Sequence, residues 1–128
     1  MDAERKDHDP PLAVDKWGWR YHHLGIPTQC AIEDEIYLPE FKLYVGGFKH
    51  SPYGIEWMRF EADSPVHQLI KTVPHIAFEV HNLDLELSLH NFKIITPPNA
   101  PSQGLRVAMI EHNGAPVELM EFNQEKMK

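Results

Sequence analysis

The chain has 128 residues, is 42% hydrophobic and carries a formal net charge of −7 from 12 basic and 19 acidic side chains. It reads as one ordinary globular domain with enough length to bury a core. The acidic balance speaks against nucleic acid or an anionic membrane as partner, since both require basic patches.

A single cysteine, Cys30, excludes an intrachain disulfide framework and fits a reducing, cytoplasmic compartment. Cys30 reads as a small packed thiol rather than a nucleophile. No apolar run reaches membrane-spanning length.

Residues 1–16 are charged, carry Pro10-Pro11 and read as a flexible N-terminal arm. A single domain, 17–128, follows. Trp19 to Ile26 alternates like a strand and ends at Pro27; alternation predicts Trp19, Tyr21, His23 and Gly25 on one face and His22, Leu24 and Ile26 on the other. Thr28 to Glu40 mixes helix formers with an extended-looking Ile36-Tyr37-Leu38-Pro39. Phe41 to Val45 and Ile55 to Phe60 are strands by content, separated by Gly46-Gly47 and the turn Ser51-Pro52-Tyr53-Gly54.

Ser64 to Thr72 links this half to the next. Pro74 to Val80 is a strand. Asn82 or Asp84 caps a helix to about Asn91, with Leu85, Leu89 and Phe92 as its core-facing stripe. Lys93 to Thr96 is a short strand and Pro97 to Gly104 a proline-rich loop. Leu105 to Glu111 and Pro116 to Phe122 flank Asn113-Gly114, a strong hairpin signal.

The chain repeats itself. His23-Leu24-Gly25-Ile26 is echoed by His75-Ile76-Ala77-Phe78, and Glu56-Trp57-Met58-Arg59-Phe60 by Glu118-Leu119-Met120-Glu121-Phe122. Two modules, 17–63 and 73–123, each contribute one histidine and one glutamate. The second is β-α-β-β-β. The first is ten residues shorter between its histidine and its glutamate, so its helix is expected to be short or replaced by irregular chain. Alternation turns both histidines and both glutamates toward a shared cavity, with Met58, Phe60, Met120 and Phe122 as its apolar wall. Unpaired carboxylates on such a face are costly, which favours a cation beside them. His22 and Glu121 are expected to face away from the cavity, and Glu79 to sit on its rim. His8, His50, His67, His81, His90 and His112 are expected on the surface.

The stretches Tyr21-His22-His23-Leu24-Gly25-Ile26, Pro74 to Val80 with Asn82-Leu83-Asp84, and Gly114 to Phe122 resemble the vicinal oxygen chelate superfamily, which includes glyoxalases, bleomycin-resistance proteins and ring-cleaving dioxygenases. The resemblance runs from Trp19 to Phe122. It implies an α+β fold of two βαβββ modules curled into a half-open mixed barrel. It also implies a divalent metal (Zn, Ni, Co, Mn or Fe) held by His23, Glu56, His75 and Glu118.

The activity implied is that of a metal-dependent lyase or isomerase, stabilising an enediolate of a small carbonyl substrate bound through adjacent oxygens. Glu118 would be the base and Glu56 its partner in a two-base scheme. Two alternatives stand beside it: a ring-cleaving dioxygenase, which needs two histidines and one carboxylate on iron, and a metal-free small-molecule binder. The partner expected is a small-molecule substrate, without nucleic acid or membrane; by analogy the chain is a homodimer. No arginine follows the first strand to hold a glutathione carboxylate, which argues against a glutathione adduct.

Overall fold

In the computed structural model, which describes residues 7–123, the first element is a single helical turn, Leu12–Asp15 (α1). The remainder of the expected arm lies partly outside the described residues. Next come strands Arg20–Pro27 (β1), Ile36–Leu38 (β2), Leu43–Gly46 (β3) and Ile55–Phe60 (β4). A short helix, Gln68–Thr72 (α2), bridges to His75–Glu79 (β5). Helix Leu83–Leu89 (α3) and strands Lys93–Ser102 (β6), Leu105–His112 (β7) and Ala115–Phe122 (β8) complete the chain. Among the described residues no helix is long and apolar enough to cross a membrane.

All eight strands form one mixed sheet in the order β2-β3-β4-β1-β5-β8-β7-β6. From the centre outward each half repeats one plan: first strand, then fourth in parallel, then third and second antiparallel. The halves join where β1 and β5 pair antiparallel. The sheet curls into a half-barrel. Between β1 and β2 irregular chain stands where the second module has α3, as the shorter spacing implied.

The convex side carries the main core. Trp19, Phe78, Val80, Leu83, Ile110 and Leu119 pack there, joined by Ala13 and Trp17. Asn82 caps α3, its Oδ1 accepting from the Leu85 N–H at 3.0 Å. The Glu121 carboxylate accepts from the Leu83 N–H at 2.9 Å, on the face away from the cavity. At Asn113-Gly114 both residues have positive φ, +49° and +84°, as the tight β7–β8 turn requires.

Four expectations are corrected. Leu85 and Leu89 do not face the core; they are 49% and 64% exposed, while Leu83 is fully buried and Leu87 packs beside it. The chosen face also lets Glu86 accept a hydrogen bond from Trp19 Nε1 at 2.7 Å. The segment 97–104 is not a free loop: β6 runs through Pro97, Pro98 and Pro101 to Ser102. It is an edge strand with three register shifts, where missing N–H groups are tolerated. His90 is not a free surface residue, for its ring packs 4.1 Å from Trp17 and 4.8 Å from Phe92.

The fourth correction concerns β1. Tyr21 pairs with Phe78, but His23 pairs with Ala77, so two steps along β1 match one along β5. This bulge breaks the alternation. Trp19 enters the convex core, His23 faces the concave side, and His22, expected opposite, lies with His23.

Candidate metal centre

The register at the sheet centre builds the site. Across the β1–β5 seam His23 stands opposite Ala77, and His75 opposite Gly25. On the flanks Gly25 pairs with Glu56 of β4, and Ala77 with Glu118 of β8. Each imidazole therefore lies over a small residue from the other module and beside a glutamate-bearing strand.

Both histidines are buried, at 3% and 2% exposure. Their Nε2 atoms lie 3.3 Å apart. Glu118 Oε1 is 3.2 Å from His23 Nε2 and 3.1 Å from His75 Nε2. These three donor atoms form a nearly equilateral triangle. Ligands about 2.1 Å from a divalent ion stand about 3.0 Å apart in octahedral and about 3.4 Å apart in tetrahedral arrangement. The observed edges fall between those values. Two imidazole nitrogens and one carboxylate oxygen converging in this way fit a first-row divalent ion.

Glu56 lies beside the triangle, its Oε1 3.8 Å from His23 Nε2. The two glutamates differ electrically. Burial opposes ionisation of Glu118, but hydrogen bonds from His23 and His75 with their charge outweigh it and draw the carboxyl down to about 2. For Glu56 burial dominates and the neighbouring Glu118 charge adds to it. The Glu56 carboxyl is raised despite His23 and His75. Burial also opposes the charged form of His23, yet the Glu118 hydrogen bond and the charges of Glu118 and Glu56 raise it overall.

The cluster sits at one end of a cavity of about 780 Å³ inside the curl. Met58, Met120 and Phe122 line it as expected; Phe60 does not. Phe60 packs instead with Leu43, Met58, Ile70 and Met109 beneath the cavity wall. The edge strand β6 closes one side with Ile95, Pro97, Asn99 and Pro101, and the linker contributes Val66 and Ile70.

No family model matches the chain, and no curated protein matches it. Among solved structures it is similar to hypothetical protein BH1468 from Bacillus halodurans C-125, at 18% identity and a TM-score of 0.65 over 82% of this chain and 95% of that one. It is similar also to a methylmalonyl-CoA epimerase from Mycobacterium tuberculosis, at 17% identity and a TM-score of 0.59 over 81% and 88%. The fold is glyoxalase-like.

Within the glyoxalase-like sheet, strand alternation alone misses one residue of the centre. His22 Nδ1 lies 2.7 Å from His23 Nδ1. For His23 Nε2 to offer a lone pair to an ion, its proton must sit on Nδ1, and His22 is then the acceptor. The His22 ring stacks on Phe48, centroids 5.0 Å apart. Burial and the neighbouring His23 lower its pKa, which keeps that acceptor neutral. The doubled His22-His23 was visible in the sequence, but the bulge that aims both inward was not.

Arg59, Tyr53 and Trp57 lie outside the cavity. Arg59 donates to both Glu35 oxygens, at 2.7 and 2.8 Å, and stacks over Tyr44. Tyr53 and Trp57 line a separate surface hollow with Cys30, which is exposed. Glu33, Asp34 and His50 form a second group of potential ligands, all exposed, with Asp34 and His50 already paired.

Proposed function

We propose that the protein is a divalent-metal-dependent isomerase or lyase acting on a small carbonyl compound that binds through two adjacent oxygens. The observation that carries this reading is the triangle of His23 Nε2, His75 Nε2 and Glu118 Oε1 at the end of a largely apolar cavity. His23, His75 and Glu118 would hold the ion, with Glu56 at its edge. When bound, the ion supplies a Lewis acid for the two oxygens and for the charge left when the neighbouring carbon loses a proton.

The chain's own groups would handle that proton. Glu118 Oε1 is engaged by both imidazoles, whereas Glu56 stands 3.8 Å from His23 Nε2 and has a raised pKa. A base poised nearer neutrality is the more effective one. Glu56 is therefore the stronger candidate to take the proton. Glu118, the base by resemblance, is ionised with its pKa drawn down to about 2 and would serve as a ligand, so the protonated Glu56 would itself return the proton to the substrate. The apolar walls keep bulk water from the reacting carbon.

The test combines metal analysis of the purified protein with isotope exchange in deuterated water across small α-hydroxy and α-keto compounds. Solvent-derived deuterium at the carbon next to a carbonyl, lost on chelation, supports the reading. Bound metal without exchange on any compound removes it.

One observation favours a second reading. With Glu56 set back, the tight cluster is two histidines and one carboxylate, the set used by ring-cleaving iron oxygenases. Bound iron with oxygen uptake on a catechol would select it.

A further inference from the structure

The cavity discriminates by charge. Three carboxylates face it: Glu118 and Glu56 at the inner end and Glu40 at the exposed rim. Among the described residues no lysine or arginine lines it. Cations elsewhere on the chain are engaged away from it: Arg59 with Glu35, Lys42 with Asp63, Lys93 with Glu111 and Arg106 with Asp84. Lys71 donates to the Ser64 carbonyl at 2.7 Å.

An anionic substituent in this space would face three carboxylates with no lysine or arginine to offset them, the histidines of the cluster being committed to the ion. Removing a charge from water without a partner is among the costliest changes a binding site can impose. The wall from Leu43, Val45, Met109 and Met120 instead rewards an apolar body. The polar side chains on the wall beyond the cluster and Glu40 are His67, Thr96, Asn99 and Ser102. Asn99 Oδ1 is buried without a hydrogen-bond partner, its amide nitrogen donating to the Pro97 carbonyl at 3.1 Å. Shut off from the cavity space, this oxygen offers a ligand no contact.

We infer that the substrate is uncharged, with an apolar body and a hydroxyl next to its carbonyl, and that carboxylate- or phosphate-bearing compounds such as acyl-CoA thioesters are excluded. This rests on the proposed metal-dependent reading for the oxygen pair, but the charge selection is a property of the walls.

The experiment is calorimetric binding to zinc-loaded protein at pH 7.5. The probes are a panel of 2-hydroxyketones with phenyl, cyclohexyl and butyl bodies, each beside its counterpart carrying a carboxylate at the far end. The uncharged member of each pair is expected to bind at least about tenfold more tightly. Glu40→Lys is expected to narrow the gap severalfold without changing zinc affinity. Equal or tighter binding of the carboxylates, or no binding by any uncharged member, overturns the inference. The metal reading fails separately: protein that takes up no zinc yet still prefers the uncharged member refutes that reading and leaves the charge selection standing.

Discussion

Gly25 and His75 are a matched pair across the module seam. A Cβ built on Gly25 would lie 2.1 Å from His75 Cε1 and 2.5 Å from its Nδ1. The glycine is required here by close approach, not by its backbone angles. Its repeat equivalent, Ala77 opposite His23, is fully buried yet admits a methyl. Gly25→Ala is therefore expected to push the His75 ring from the triangle. Zinc affinity should fall at least about tenfold, and the strain of overpacking should cost about 1–3 kcal/mol. Ala77→Gly should cost about 1 kcal/mol and leave the metal in place. Calorimetry and urea denaturation on both variants check this; equal metal affinity in Gly25→Ala would show that His75 does not need its present seat.

The two glutamates should separate by role. Glu118→Gln replaces a charged ligand at the corner of the triangle by a neutral one, so metal affinity is expected to drop at least about tenfold, no less than the loss of an outer partner of a ligand costs. Glu56→Gln leaves the triangle complete, so metal should remain while proton exchange falls by about 10²–10⁴. Metal content by mass spectrometry, measured beside the exchange rate, decides the assignment. Metal kept and exchange lost in Glu118→Gln would return the role of base to Glu118.

Much of this arrangement is legible from strand periodicity and the internal repeat. Alternation turns His75 with Ala77, and Glu118 with Met120, toward one face, and the repeat carries the same logic to His23 and Glu56. The failures have physical causes. Nothing in Tyr21-His22-His23 announces a bulge, because the extra residue is set by pairing with Phe78 and Ala77 in the other module. Helix α3 has leucines at 83, 85, 87 and 89, which supply two competing faces; the Trp19–Glu86 bond and the Glu121 carboxylate at Leu83 favour the one that packs. The prolines of β6 signal a break only in a paired interior strand, and β6 lies at the sheet edge. Alternation gives the face of Phe60 but not its depth: it packs behind Leu43 and Ile70, which themselves line the cavity.

Stability should depend on pH in opposite senses with and without metal. In metal-free protein, Glu118 is held near 2 against an ordinary value of 4.5, so its contribution is complete above 4.5 and lost as pH falls toward 2. His23 is raised above 6.5, so its contribution is complete below 6.5 and lost as pH rises through the folded value. Glu56, also raised, loses its contribution as pH climbs above 4.5. Metal-free stability is thus expected to peak between about pH 4.5 and 6.5. Bound metal requires both imidazoles unprotonated, so the metal-loaded protein should instead gain stability from pH 6 to 8. Urea midpoints across pH 4–8, with zinc and with chelator, test this; parallel curves would mean that no ion competes with protons at His23.

The correction to α3 makes a sharp pair of outcomes. Leu83 is fully buried beside Trp19, Phe78 and Leu119, and Leu83→Ala should cost about 2–5 kcal/mol. Leu89, 64% exposed, should tolerate alanine within about 0.5 kcal/mol. Equal losses at the two positions in chemical denaturation would mean that the helix packs by the 85–89 face after all.

His22 should tune the centre through His23. With His23 Nε2 committed to an ion, its Nδ1–H needs an acceptor, and His22 Nδ1 at 2.7 Å is the one in place. Groups in this position orient a metal-bound imidazole and raise its basicity, and losing one weakens metal binding by about 10–100-fold. His22→Phe keeps the ring stacked on Phe48 and removes the acceptor, so that loss is expected with little change in folding. His22→Asn places an amide oxygen near the lost Nδ1 and should recover part of the affinity. A cobalt-loaded sample adds a readout that packing alone would not move: its visible absorption should shift in His22→Phe and return toward the parent spectrum in His22→Asn. Unchanged affinity and spectrum in His22→Phe would reduce the 2.7 Å contact to a feature of packing.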